Sequence, residues 1–200
     1  MESVPEQTDE ELMKQYITGN PTAFEQLALR YEKIILNFAY PYFRNIPQSE
    51  DIVQDVFVRV VESKDKYDPD KPFKPWIYQI ARNRIYDELR KRKRWSLRFF
   101  HSKDTDELSH KIGTVPDPSL SPGETLNQEE LRQIIMEGIQ SLDDRSRDLV
   151  ILRHIQGLSV REVAEILNIA EGTVHSGTHR ALATLQKILI KQGITIEDAL

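Results

Sequence analysis

Apolar residues recur every three or four positions along almost the whole chain, and no stretch alternates strictly between apolar and polar as a half-buried strand does. That periodicity confines the chain to an all-α fold. Thr8 and Glu11 have the spacing of a capping box ahead of Leu12, Met13, Tyr16 and Ile17, with Gly19 as the stop. Asn20 followed by Pro21 pairs a cap with a proline suited to the first helical position. The helix it opens runs through Phe24, Leu27, Ala28, Tyr31, Ile35 and Phe38, and Pro41 is predicted to kink or end it. Ser49 is predicted to cap a third helix, whose stripe of Ile52, Val53, Val56, Phe57, Val60 and Val61 lies opposite Asp51, Gln54, Asp55 and Arg59. Three prolines between residues 67 and 75 mark a loop, and helix is predicted to resume at Pro75 and run to about Arg92.

The composition then shifts. Residues 101–127 hold three prolines, two glycines and four serines with no apolar period, as a flexible linker does. We therefore expect two small helical domains, at residues 8–98 and 127–192, joined by a linker at 99–126. In the second, Leu131, Ile134, Ile135, Ile139 and Leu142 form one amphipathic face, and Leu149, Leu152 and Ile155 form another that Gly157 ends. Ser159 and Glu162 make a capping box for a helix with Val160, Val163, Ala164 and Leu167. After a break at residues 168–170, a last helix turns Val174, Thr178, Ala181 and Leu185 inward. Short helix, three-residue turn and longer helix have the proportions of a helix-turn-helix, which sets the start of its last helix in a DNA major groove.

Composition excludes several functions. There is no cysteine, so disulfides and thiolate metal sites are absent, and the five histidines show no zinc spacing; no metal and no cofactor is expected. No GxSxG, no phosphate-cradling glycine loop and no catalytic constellation is present, so no catalytic residue is assigned and the chain reads as a non-enzyme. No run approaches the roughly 18 apolar residues of a membrane span. The first eleven residues carry five acids and no Lys or Arg, the reverse of a targeting segment, so a cytoplasmic location without membrane insertion is expected. The net charge of −5 conceals a strong asymmetry: residues 82–98 alone carry +6, leaving −11 for the rest.

That basic stretch lies on the helix after the proline loop, where Tyr78, Arg82, Tyr86 and Arg90 are four apart and share a face. Aromatic rings interleaved with guanidinium groups suit unpaired DNA, because bases stack on the rings for about 1–3 kcal/mol each while the cations bind phosphates. The competing structural explanation is a solvated basic helix end with half-buried tyrosines. In the helix-turn-helix, the polar residues Thr173, His175, Ser176 and His179 stand where base edges and phosphates are reached.

Residues 49–95, SEDIVQDVFVRVVESKDKYDPDKPFKPWIYQIARNRIYDELRKRKRW, resemble region 2 of bacterial RNA polymerase sigma factors, in which a D-I/L-V-Q-D/E-x-F helix precedes a proline loop and a W-I/L-Y-x-I-A-R-N helix. Residues 139–185 resemble sigma region 4. Both motifs in this order, without a large domain between them, are similar to the group 4, or extracytoplasmic-function (ECF), branch of the sigma-70 family. The resemblance implies binding to the β′ and β subunits of RNA polymerase core, promoter-specific initiation, and control by an anti-sigma factor. It implies core docking by Asp51, Ile52, Gln54, Asp55, Phe57, Val58 and Arg59. It implies minus-ten DNA binding and melting by Tyr67, Asp68, Lys71, Phe73, Lys74, Trp76, Tyr78, Arg82, Asn83, Arg84, Tyr86 and Arg90. It implies minus-thirty-five binding by Arg145, Arg153, Ser159, Glu171, Gly172, Thr173, His175, Ser176, Thr178, His179 and Arg180. Two departures stand out. Ala170 occupies the place of a Ser or Thr cap, and residues 174–180 read V-H-S-G-T-H-R where the family pattern is V-K-S-R-L-H-R, so a weakened minus-thirty-five contact is expected. The alternatives are a regulator using only the helix-turn-helix, an enzyme acting on DNA, and a sigma-like decoy that occupies polymerase without opening promoters.

Overall fold

The computed structural model describes residues 7–101 and 128–194. Among them there are helices and no strand. The first half comprises α1 (Asp9–Ile17), α2 (Pro21–Phe43), α3 (Ile46–Ser63) and α4 (Phe73–His101), with a short 3-10 turn at Lys64–Lys66. The second comprises α5 (Gln128–Gln140), α6 (Asp144–Val150), α7 (Val160–Leu167) and α8 (Glu171–Lys191), and α6 continues into a wider π-helical turn over Ile151–Ile155. Of the expected linker, residues 99–101 belong to α4 and the remainder lies outside the described residues.

Local chemistry sets most helix starts. The Thr8 hydroxyl accepts from the Glu11 N–H at 3.2 Å, and the Glu11 carboxylate accepts from the Thr8 N–H at 2.9 Å. Ser159 and Glu162 form the same box ahead of α7, at 3.2 and 2.7 Å. Helix α3 begins earlier than the sequence reading placed it, because Asn45 is the cap, accepting from the Gln48 N–H at 3.0 Å, and Pro47 fits the first turn. Ser49 is instead inside the helix, buried, with its hydroxyl donating to the Asn45 carbonyl at 2.8 Å. Pro41 does not end α2: it sits close enough to the C-terminus that only the last turn is affected, and the chain exits through Arg44 in the left-handed region at φ 50°.

Helix α4 departs furthest from its expected bounds. It starts at Phe73 because the Phe73 N–H is met by the Glu10 carboxylate of α1 at 2.8 Å, a cap supplied from 63 residues away. It runs on to His101 because no glycine or proline interrupts residues 76–101. Asp143 caps α6 and accepts from the N–H groups of Arg145 and Ser146 at 3.1 and 3.0 Å, and the Ser146 side chain, then these N–H groups, hold its carboxyl below the usual carboxylate range. Asp143→Ala is expected to cost about 1 kcal/mol in a urea titration of the chain. A loss under about 0.3 kcal/mol would show the cap to be dispensable.

The first core gathers Leu12, Met13, Leu27, Ile35, Phe38, Ile52, Val56, Ile77 and Ile85 between α1, α2, α3 and α4. The second gathers Leu149, Ile151, Leu152, Val163, Val174 and Ala181. Both belong to one continuous apolar cluster, because α7 packs onto α4, and α5 and the π-helical turn pack onto α2. The surface of α4 that meets the second half is the one carrying Tyr78, Arg82 and Tyr86.

Candidate nucleic-acid interface

The loop before α4 is held by its own polar groups. Tyr67 donates its hydroxyl to the Lys71 carbonyl at 2.5 Å, and Asp68 accepts from the Asp70 N–H at 3.1 Å and pairs with Lys71 at 3.6 Å. Beneath it the rings of Tyr67, Phe73 and Trp76 make a cluster with centroids 5.0 to 5.9 Å apart. Burial, then Glu10, Asp68 and Asp9, push the Tyr67 hydroxyl up to about 12. It therefore stays a donor at neutral pH. Phe73 is wholly buried and supports the loop from inside, while Asp68 and Lys71 are exposed at its tip.

On α4 the helical period splits the predicted strand-binding residues among three sides. Arg84 turns toward α3, pairing with Asp55 at 2.5 Å and Glu88 at 3.5 Å, so it is not grouped with Arg82. Asn83 and Arg90 are exposed, and Arg90 pairs with Asp87 at 2.5 Å. Tyr78, Arg82 and Tyr86 share the third side, as their four-residue spacing requires. Arg82 lies over the Tyr86 ring at 4.9 Å.

That third side is covered by the second half of the chain. Asp148 of α6, with 0% of its surface exposed, accepts from Arg82 Nε at 2.6 Å, from the Tyr42 hydroxyl at 2.6 Å and from the Tyr86 hydroxyl at 2.9 Å. Three donors and no acceptor surround it, the environment of an anion. Burial pushes the Asp148 carboxyl upward against the pull of Arg82 and the hydroxyls. Burial also disfavours the charge of Arg82, yet Asp148 holds the guanidinium above its ordinary value. Tyr78, 1% exposed, donates to Gln156 Oε1 at 2.9 Å; Gln79 donates to the Glu165 carbonyl at 2.7 Å; Lys74 pairs with Glu162 at 2.9 Å. Sequence reasoning found neither Asp148 nor its partner Tyr42. The available signal was an acid set directly against the apolar run of residues 149–152, which a helix must bury along with it.

The α3 surface divides cleanly. Asp51, Gln54, Val58 and Arg59 are exposed, Val58 by 55%, with Val61 beside them. Phe57 is half-buried against Phe24, and Asp55 is taken up by Arg84. Ile52, at 1% exposure, faces the core, so it supports this surface from beneath and is not presented on it.

On α8, Glu171, Gly172, His175, Ser176, His179 and Arg180 are exposed, and Thr173 is half-exposed. Arg145 is exposed near the start of α6, the Ser159 hydroxyl is occupied by its cap, and Arg153 donates to the Leu158 carbonyl. Ala170 begins α8 in extended geometry without a side-chain cap. Gly177 does not stand on the exposed turn. A Cβ there would lie 2.7 Å from Leu149 Cδ1, so the missing side chain is space filled by α6. Thr178 is likewise turned inward, and its buried hydroxyl has no partner among the described residues.

Residues 27–95 match the family model for sigma-70 region 2, and residues 132–185 match that for sigma-70 region 4. The ECF RNA polymerase sigma factor SigW of Bacillus subtilis is 33% identical over 177 residues, spanning 88% of this chain and 94% of that protein. The ECF RNA polymerase sigma-E factor of Escherichia coli is 30% identical over 179 residues, 87% of this chain and 90% of that one. Among solved structures, CnrH in complex with the cytosolic domain of CnrY aligns with a TM-score of 0.67 at 27% identity, covering 92% of this chain and 97% of CnrH. The sigma factor RpoE bound to the anti-sigma factor NepR, from Bartonella quintana, aligns with a TM-score of 0.61 at 25% identity, over 83% of this chain and 96% of RpoE. With both regions matched in order and full-length relatives at this identity, the chain belongs to the ECF branch of the sigma-70 family, and is a transcription initiation factor, not an enzyme.

Proposed function

We propose that this sigma factor docks on RNA polymerase core through the exposed face of α3, engages the minus-ten element with α4 and the loop before it, and reads the minus-thirty-five element with α8. The observation that carries this reading is the exposure of two separate faces, one on α3 and one on α8. Asp51, Gln54, Val58 and Arg59 on α3 combine polar groups with an apolar contact, as a protein-docking surface does. His175, Ser176, His179 and Arg180 on α8 offer hydrogen-bonding groups at a helix-turn-helix. The relatives solved with CnrY and with the anti-sigma factor NepR support control of this chain by an anti-sigma partner.

Run-off transcription from a genomic promoter library, with purified bacterial core polymerase, is the test. Transcripts that depend on the protein and share two upstream elements are expected. Val58→Glu, which sets a charge in the docking face without touching the core, is expected to weaken core binding by about tenfold or more. Core binding without such transcripts would favour a decoy, and no core binding would favour a regulator that uses only the helix-turn-helix.

A further inference from the structure

Helix α4 starts between two prolines. Pro72 stands immediately before it and Pro75 at its third position, and neither has an N–H to satisfy or a side chain that can cap. Of the donors that a helix start ordinarily leaves open, only the N–H groups of Phe73 and Lys74 are therefore present. The acceptor for Phe73 comes from α1, where Glu10 Oε1 takes its N–H at 2.8 Å and sets a carboxylate at the positive end of the α4 dipole. The preceding acid holds the same residue through its ring. Asp9 accepts from the Tyr31 hydroxyl at 2.6 Å, and the Tyr31 ring meets that of Phe73 edge to face at a centroid distance of 5.2 Å. Asp9 also pairs with Arg30 at 2.8 Å, and α1 is anchored by Leu12 and Met13, which have no exposed surface.

Phe73 joins the end of the 67–72 loop, the first turn of α4 and the ring cluster with Tyr67 and Trp76. The bond from the Tyr67 hydroxyl to the Lys71 carbonyl ties the loop to itself, so its tip turns with its two ends. One end is set by the buried Tyr67 ring and the other by Phe73. Resting on the functional reading above, we propose that Glu10 is a positioning residue for minus-ten recognition. By holding the Phe73 N–H it fixes the loop whose exposed tip carries Asp68 and Lys71, and it acts through Phe73, not by contact with DNA. A carboxylate beside a strand-binding loop opposes phosphate, and the N–H it accepts gives a reason for its place there. Recognition groups have to be held within about 0.5 Å of their working positions, which a loop end without its backbone tie does not achieve. Glu10 lies outside residues 27–95, the stretch that matches the region 2 model.

The test compares three variants in the full chain. Glu10→Ala removes the acceptor, Glu10→Gln retains one in its amide oxygen, and Asp143→Ala removes a cap from α6 instead. Amide hydrogen exchange of residues 67–76, read by mass spectrometry, reports the hold on the loop. Opening of a promoter recovered by run-off transcription, read with core polymerase from 2-aminopurine in its minus-ten element, reports recognition. The same promoter with one minus-ten base changed supplies a discrimination ratio. Glu10→Ala is expected to speed exchange over 67–76 by about fivefold and to lower the ratio by about fivefold, with core binding held within about twofold. Glu10→Gln should bring both readouts back to within about twofold of the unaltered protein. Asp143→Ala should lower stability and move neither.

Unchanged exchange in Glu10→Ala overturns the proposal, as does faster exchange with an unchanged ratio. So does a loss of discrimination that Asp143→Ala reproduces, since stability alone would then account for it. Should Glu10→Ala fail to fold by circular dichroism, Glu10→Asp, which keeps the charge on a shorter side chain, decides in its place. If the unaltered protein yields no transcripts from any promoter, the sigma reading fails and this role fails with it. Transcripts with an unmoved ratio overturn this role and leave that reading standing.

Discussion

Replacing Phe38 with alanine is expected to unfold the first half of the chain at temperatures where the unaltered protein is folded. Phe38 has no exposed surface and meets Tyr42 and Tyr78 edge to face, at centroid distances of 5.6 and 5.0 Å. Deleting a buried phenylalanine ring costs about 3–5 kcal/mol from lost transfer energy and the cavity left behind. Against a stability of about 5–15 kcal/mol for a typical domain, that is a large share. The melting temperature should fall by more than about 12 °C. The two tyrosines beside the ring are those that bind Asp148 and Gln156, so the contact between the two halves should weaken with it. A melting temperature unchanged within about 2 °C would remove Phe38 from the core.

Leu149→Ala is expected to cost about 2–5 kcal/mol, and Gly177→Ala to recover part of that loss. The two positions share one space, since a Cβ at 177 would lie 2.7 Å from Leu149 Cδ1. In the unaltered protein, alanine at 177 gains about 1 kcal/mol of helix propensity and loses about 1–3 kcal/mol to overpacking. Once Leu149 is shortened, only the gain remains, and the double variant should be more stable than Leu149→Ala by about 1 kcal/mol. Strictly additive effects in a double-mutant cycle would show that the two sites do not touch. By the same geometry, Gly177→Arg should lower stability and should not strengthen minus-thirty-five binding, although the family pattern has a basic residue there.

Legibility followed the range of the forces involved. The capping boxes at Thr8 and Ser159 need only residues three apart, and both are formed. Where a start depended on a choice between nearby polar residues, the sequence misled: Asn45, with Pro47 behind it, outcompeted Ser49 as the cap of α3. Where it depended on a distant partner, as when Glu10 caps Phe73, no local pattern could show it. The four-residue spacing of Tyr78, Arg82 and Tyr86 places them on one face and Arg84, two residues from Arg82, on another, but that Arg84 meets Asp55 of α3 was visible only in the tertiary structure.

By itself, then, the sequence determined the all-α class, the family, and which residues share each helix face, because periodicity, capping and motif spacing are properties of a short stretch of chain. The tertiary structure alone decided what each face meets. It turned Ile52 and Phe73 inward, filled the space at Gly177 with Leu149, and set Asp148 among Arg82, Tyr42 and Tyr86. Those contacts join residues as many as 106 positions apart, and they arise from how packed helices exclude water together, which no single helix encodes.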